Sequence, residues 1–267
     1  MILLFGGTSE TEALATALAN LNVAVLVSTA TDVPLKTGAE NHPLIKRRCG
    51  RLRETDMRDL IMRRGIRLIV NAGHPYADEL HQTIAAVVRK TGILCFRFQR
   101  QETLVDGEHI YRVGDHQAAA ELAFSFVRPV LLTIGSRHLG PYVAVAKKTQ
   151  IPLFVRILPH RESIEACRAS GLSDASCIYA RGPFGEEENS KLIRRFGIGV
   201  LVSKDSGTAG GVPEKIAAAT NADCAVVLLG RPAVDACEWV NFRTLSSLVE
   251  GVELQLKLLL SGKNVDP

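Results

Sequence analysis

The chain has no Cys-x-x-Cys pair: its six cysteines stand apart at Cys49, Cys95, Cys167, Cys177, Cys224 and Cys237. That dispersal argues against a disulfide framework and a structural zinc site, and Cys95, Cys177 and Cys224 lie in apolar stretches that suit core packing. No apolar run approaches the roughly 18–20 residues that span a bilayer. The first residues are apolar with no basic region before them, so a signal peptide is not expected and a cytoplasmic location is. Aromatic residues make up 5% of the chain, and the net charge of +4 comes with no dense basic stripe. This argues against nucleic acid as a partner and suits an acidic small molecule. Gly-x4-Gly-Lys-[Ser/Thr], Gly-x-Ser-x-Gly and His-Glu-x-x-His are all missing, which leaves nucleoside triphosphatase, hydrolase and metalloenzyme readings without support; no metal is expected.

What is present is the composition of an ordinary globular protein, 46% hydrophobic and 22% charged. Short apolar runs over 2–5, 23–28, 66–71, 93–97, 130–134, 152–157, 177–180, 199–203 and 223–229 read as strands buried on both faces, as in parallel sheets. Helical spacing between them, over 8–20, 54–64 and 76–91 in the first half, gives an α/β fold with mostly parallel sheets. Arg128-Pro129 marks the expected seam between two domains, 1–127 and 128–267. Each half opens with a strand and a glycine turn, Phe5-Gly6-Gly7-Thr8-Ser9 and Thr133-Ile134-Gly135-Ser136, which suggests an internal pseudo-repeat.

The most informative stretch is 200–215. An apolar strand, Val200 to Ser203, runs into Lys204-Asp205-Ser206-Gly207 and then Gly210-Gly211 before Pro213 in the first turn of an expected helix. Backbone N–H groups and the positive helix end would face an anion there, with Lys204 and Lys215 as cations at the mouth and Asp205 as an orienting group or proton donor. A well-capped turn would give the same pattern. At the N-terminus the Gly6-Gly7-Thr8 turn resembles a dinucleotide-binding turn without its third glycine. The second strand ends at Ser28-Thr29 rather than at an acid, and Arg47, Arg48 and Arg51 follow. If a dinucleotide binds, hydroxyls and arginines suit the 2′-phosphate of NADPH better than the 2′-hydroxyl of NADH; a solvated helix face is the competing reading of these arginines.

Two further clusters fall where strands end. His74 and Tyr76 follow the strand 66–71, where a histidine can donate to a carboxylate, act as a general acid, or merely cap the next helix. Arg97 and Arg100 close the strand 93–97; paired guanidiniums there suit carboxylates or phosphates, or a surface ion pair. Gly182-Pro183-Phe184 precedes another helix, and Phe184 could face a planar ligand or the core.

Taken in order, Gly6-Gly7-Thr8-Ser9-Glu10, His74-Pro75-Tyr76-Ala77, Arg97-x-x-Arg100, Thr133-Ile134-Gly135-Ser136, Gly182-Pro183-Phe184 and Lys204-Asp205-Ser206-Gly207-x-x-Gly210-Gly211-x-x-x-Lys215, with Arg231-Pro232 beyond, resemble the motif set of the precorrin-6A reductase family. The resemblance spans Gly6 to Pro232. It implies two Rossmann-like domains with the active site in the cleft between them, and NADPH-dependent reduction of one double bond in a corrin-precursor macrocycle, with or without cobalt, to give precorrin-6B in cobalamin biosynthesis. On that reading Gly6, Gly7, Thr8, Ser28 and Arg51 serve NADPH on an N-terminal cofactor side. His74, Tyr76, Arg97, Arg100, Ser136, Lys204, Ser206, Gly207, Gly210, Gly211 and Lys215 contact the tetrapyrrole, most of them on a C-terminal side. Lys204, Asp205, His74 or water would deliver the proton, and neighbouring enzymes of the pathway are possible partners. Asn71-Ala72-Gly73 departs from the Asp-Ala-Thr usual in the family, which removes an acid at 71, and Gln101 stands where proline is common. A reductase of another polyanion, a methyltransferase using S-adenosylmethionine and a non-catalytic tetrapyrrole carrier are the competing functions.

Overall fold

In the computed structural model, which describes residues 1–32, 35, 39, 41–99, 107–182, 184–207, 210–231 and 239–260, the apolar runs form two six-stranded sheets. The chain divides into two compact units, Met1–Arg100 with Ala233–Pro267, and Gln101–Pro232.

The first unit holds β1 (Ile2–Phe5), α1 (Thr11–Ala19), β2 (Val25–Thr29), β3 (Ile45–Cys49), α2 (Glu54–Arg64), β4 (Leu68–Asn71), α3 (Asp78–Thr91) and β5 (Leu94–Phe98). The second holds β6 (Ile110–Val113), α4 (His116–Ser125), β7 (Val130–Leu132), α5 (Gly140–Thr149), β8 (Leu153–Ile157), α6 (Arg161–Ala169), β9 (Cys177–Tyr179), α7 (Glu186–Phe196), β10 (Val200–Lys204), α8 (Val212–Thr220) and β11 (Ala225–Leu229). The chain then returns to the first unit with β12 (Val240–Phe242) and α9 (Leu245–Leu260).

Both sheets have the same plan. The first runs β3-β2-β1-β4-β5-β12 and the second β9-β8-β7-β10-β11-β6, with parallel neighbours throughout. This is the doubly wound order, with strand direction of travel reversing between β1 and β4 in one sheet and between β7 and β10 in the other. Apolar residues on successive positions of β1 go to opposite faces: Leu4 packs with Leu14, Leu18, Val70 and Val252, and Leu3 with Met57, Ile69, Ile84 and Val88. Fully burying one such side chain contributes on the order of 1.5–3 kcal/mol. That is enough to hold even α2, where only Met57 and Ile61 are buried. In the second unit β7 does the same, with Val130 and Leu132 against Ala119, Tyr142 and Val143 and Leu131 against Ile193, Ile216 and Ala219.

The domain boundary differs from the one expected at 127/128. β6 pairs with β11 and β12 pairs with β5, so one of the two edge strands of each sheet comes from the other half of the chain. Around Arg128-Pro129 the chain merely turns from α4 into β7, with the exposed Val127 at φ +53. The sequence reading missed β3, β6 and β12 for one reason: an edge strand buries only part of its surface and need not carry a continuous apolar run. β3 reads Ile-Lys-Arg-Arg-Cys with only Ile45 buried, so Arg47 and Arg48 lie on a strand and not on a helix face. No helix among the described residues is long and apolar enough to cross a membrane.

Candidate functional site

In a doubly wound sheet, ligands bind beside the loops leaving the carboxyl ends of the strands at the switch point. In the first unit these are the loops after β1 and β4. A Cβ on Gly6 would overlap Thr11 Cγ2 and stand 2.7 Å from Thr11 Oγ1, while Gly7 has φ +98 and open space where a Cβ would project. Thr11 Oγ1 accepts the backbone N–H groups of Gly7 (2.9 Å) and Thr8 (3.0 Å). The threonine thus holds the turn that lacks a third glycine. Thr8 Oγ1 donates to Ala72 O at 3.2 Å, which ties the two switch-point loops together.

At the end of β2, Ser28 is 4% exposed and its Oγ accepts from Arg48 Nη1 at 2.7 Å. Arg48 also donates to Gly50 O (2.7 Å) and Cys49 O (3.1 Å). Burial pulls its pKa down, against the opposing influence of Cys49 and Asp56. Arg51, the arginine expected at this place, is exposed and stands 3.4 Å from Glu79 Oε2. A hydroxyl and a guanidinium where a ribose-binding acid would otherwise stand fit a phosphate.

The loop after β4 is fixed from below. His81 is 2% exposed; its Nε2 lies 3.0 Å from His74 O and its Nδ1 3.1 Å from Asn71 Nδ2. An amide nitrogen can only donate, so Nδ1 accepts and Nε2–H donates to the carbonyl. Asn71 Oδ1 takes the Gly73 N–H at 3.2 Å. Burial first, then the charge of Arg97, lowers the His81 pKa to about 4. A carboxylate at 71 could not donate to Nδ1, so an amide suits this place. His74 itself is exposed, with Nδ1 accepting from Tyr76 N (3.3 Å) and the two rings 5.7 Å apart. Arg97 is 8% exposed and lies over Trp239, 5.1 Å from the ring centroid. Arg100 falls outside the described residues.

In the second unit the switch-point loops follow β7 and β10. Thr133 joins them, donating from both N and Oγ1 to Val202 O (2.9 and 3.0 Å); Ser136 is half-buried beyond it. Asp205 is 1% exposed. Its Oδ2 accepts from Arg112 Nη1 (3.1 Å), its Oδ1 from Gly207 N (3.3 Å), and its carbonyl from Arg231 Nε (3.1 Å). Both carboxylate oxygens are engaged in holding the loop. Ser206 packs so tightly on Gly210 that a Cβ there would overlap its Oγ. Gly211, at φ +69, precedes α8, whose first turn contains Pro213.

Lys215 does not stand at the mouth of this loop. It lies on the buried stripe of α8 with Val212, Ile216 and Ala219, and Nζ donates to Gly210 O (3.2 Å) and Ser203 Oγ (3.4 Å) from beneath. Burial, then the charge of Arg156, lowers its pKa to about 8.

The sequence reading gave no role to another group of side chains. The rings of His116 and His138 stack at 4.3 Å, and His116 Nδ1 is 3.1 Å from Tyr142 Oη. Burial, then His138 and Lys204, lowers the His116 pKa to about 4. His138 was within reach, two residues past Ser136 in a loop that follows a strand. His116 opens α4 behind the capping Asp115, a signal shared with many surface helices. Arg112 went unseen because β6 did. Among the described residues no group of three or more His, Cys, Asp or Glu could hold a metal ion.

Comparison with known proteins bears on all of these loops. The family model described as Precorrin-6x reductase CbiJ/CobK matches residues 1–253. The chain is similar to the cobalt-precorrin-6A reductase of Priestia megaterium, 30% identical over 88% of this chain and 92% of the relative. It is also similar to that of Salmonella typhimurium (31%, 86% and 87%) and to the precorrin-6A reductase of Rhodobacter capsulatus (30%, 94% and 93%). Among solved structures, a CobK precorrin-6A reductase superposes with a TM-score of 0.76 at 26% identity, covering 98% of this chain and 97% of that one. A match that runs through both wound sheets and all four switch-point loops makes this chain a member of the precorrin-6x reductase family.

Proposed function

We propose that this chain reduces one double bond of the precorrin-6A or cobalt-precorrin-6A macrocycle with NADPH, giving precorrin-6B or its cobalt form in cobalamin biosynthesis. The observation that carries the cofactor part of this reading is the Ser28–Arg48 pair at the end of the second strand, beside a glycine turn with open space at Gly7. When bound, NADPH supplies the hydride; a proton must reach the ring from elsewhere. Gly6, Gly7 and Thr8 hold the dinucleotide at the loop after β1, and Ser28 with Arg48 takes its 2′-phosphate.

Most residues proposed for the acidic macrocycle stand on the loop after β4 in the first unit and on the loops after β7 and β10 in the second. His74 and Tyr76, held by the His81 network, contact the macrocycle along with Arg97 and Arg100, Ser136, Lys204, Ser206 and the glycines at 207, 210 and 211. Lys204 and His74 are the groups from which a proton reaches the ring, directly or through water. Asp205 serves this step by fixing the loop that carries Lys204, since both of its oxygens are already bonded.

Mixing the purified protein with NADPH and either macrocycle, while following nicotinamide absorbance and the macrocycle spectrum together, tests the reading. Coupled NADPH loss and spectral change are expected with one of the two. Tight macrocycle binding with NADPH left unoxidised would replace the reductase by a carrier.

A further inference from the structure

β8 carries an arginine inside an otherwise apolar run, Leu-Phe-Val-Arg-Ile. Arg156 is 7% exposed, and Lys215, which reaches the same region from α8, is 8% exposed. Arg156 Nη1 donates to Asn189 Oδ1 at 2.8 Å, and its guanidinium lies 3.9 Å from the centroid of the Phe184 ring. Asn189 is itself fixed on α7, donating Nδ2 to Gly185 O (2.7 Å) and Phe184 O (3.4 Å). Among the described residues Lys215 reaches only neutral oxygens, Ser203 Oγ and Gly210 O.

Among the described residues neither cation has an ion pair or a hydrogen bond to a carboxylate. Glu188 favours the charged form of Arg156, and Glu214 that of Lys215, through electrostatics alone. Burial lowers the Arg156 pKa to about 10, and the charge of Arg156 in turn presses on Lys215. Two cations buried within each other's field, with no counter-charge bonded to either, form an arrangement that an incoming anion relieves. Stacking on Phe184 and the bond to Asn189 fix the guanidinium plane and leave other N–H donors of its fork for a two-oxygen acceptor.

We propose that Arg156 and Lys215 form a buried receptor for one carboxylate of the tetrapyrrole's acidic side chains, with Arg156 supplying a planar N–H edge and Lys215 a point charge. The assignment rests on the function proposed above. A phosphate group shares the chemistry, so the test separates the two sources.

In the full-length Arg156→Met variant, affinity for the macrocycle, followed by spectral titration, falls roughly 10- to 100-fold, and affinity for NADPH is unchanged. Millimolar inorganic phosphate raises the thermal midpoint of the wild type and not that of Arg156→Met. Unchanged macrocycle affinity would overturn the receptor, and so would a loss shared equally by NADPH. A loss confined to NADPH would assign the cations to a nucleotide phosphate and overturn the carboxylate. Should the wild type neither bind the macrocycle nor oxidise NADPH, the proposed function fails; the phosphate-dependent midpoint then decides the anion site by itself. Should Arg156→Met not fold, Arg156→Lys keeps the charge and loses the fork: macrocycle affinity falls if the receptor is real, and equal affinity overturns it.

Discussion

Under the loop after β4 sits a buried base that is neutral at pH 7, His81, with its pKa near 4. Under the loop after β10 sits a buried base that is still charged at pH 7, Lys215, with its pKa near 8. The two sheets have the same strand order, and both loops leave the fourth strand of that order. The first loop is held by hydrogen bonds among neutral groups, Asn71, His81 and backbone; beneath the second, among the described residues, stand two cations with no bonded carboxylate. One winding plan therefore supports two kinds of switch point, one complete in itself and one whose electrostatics are completed by an anion.

Titration is the strongest way to break this contrast. Each base has a folded-state pKa about 2.5 units below its ordinary value, 6.5 to about 4 for His81 and 10.5 to about 8 for Lys215. At about 1.36 kcal/mol per unit each shift corresponds to about 3 kcal/mol. In both cases the unfolded chain binds more protons across the window, so stability rises with pH there. For His81 that stability is complete above pH 6.5 and is lost as pH falls toward 4. For Lys215 it is lost already below about 8 and regained only as pH climbs toward 10.5. Urea unfolding midpoints of the wild type, His81→Gln and Lys215→Met across both windows check this. His81→Gln lessens the acidic slope, leaving the share of His116, whose pKa is also lowered to about 4, and does not change the alkaline slope; Lys215→Met lessens the alkaline slope alone; parallel curves for all three proteins would dissolve the distinction.

A smaller effect separates the loops by ligand. A Cβ at Gly6 meets Thr11 and one at Gly210 meets Ser206, each inside normal contact distance. Overpacking of this kind costs about 1–3 kcal/mol. Because each clash lies in a different loop, Gly6→Ala weakens NADPH binding and spares the macrocycle, whereas Gly210→Ala does the reverse. Isothermal titration of each variant with each ligand reads the pattern; a loss of both ligands in either variant would mean that the substitution disturbs its whole unit.

How much of this was open to reading from the sequence depended on burial. The central strands, such as β1 and β10, lie between two layers of helices and show as unbroken apolar runs, and the glycine turns after them mark the switch points. Edge strands answer to one neighbour only. β3 hides behind three polar residues, and with it went the finding that Arg48, and not Arg51, lies against Ser28. The direction of a side chain on its helix was likewise out of reach at Lys215, where motif spacing suggested a cation at the mouth and helical periodicity turned it inward. Pairings across long sequence distances, such as Arg112 with Asp205 and Trp239 with His81, depend on the exchanged strands and have no local signature.

The smallest predicted effect tests that last correction on the cofactor side. Arg48 and Arg51 are separated by two residues, and from spacing alone either could serve a 2′-phosphate. In the fold Arg51 is spent on an exposed pair with Glu79 at 3.4 Å, an interaction typically worth less than about 1 kcal/mol. Arg48 is partly buried and bonded to Ser28, where a charge-assisted bond to a phosphate is worth about 1.5–3 kcal/mol. Arg48→Ala therefore raises the dissociation constant for NADPH by roughly 10-fold or more and that for NADH far less. Arg51→Ala leaves both within about 2-fold and shifts stability by no more than about 0.5 kcal/mol. Equal losses for NADPH and NADH in Arg48→Ala would mean that this guanidinium supports the strand rather than the phosphate; a loss confined to Arg51→Ala would return the cofactor role to the exposed arginine.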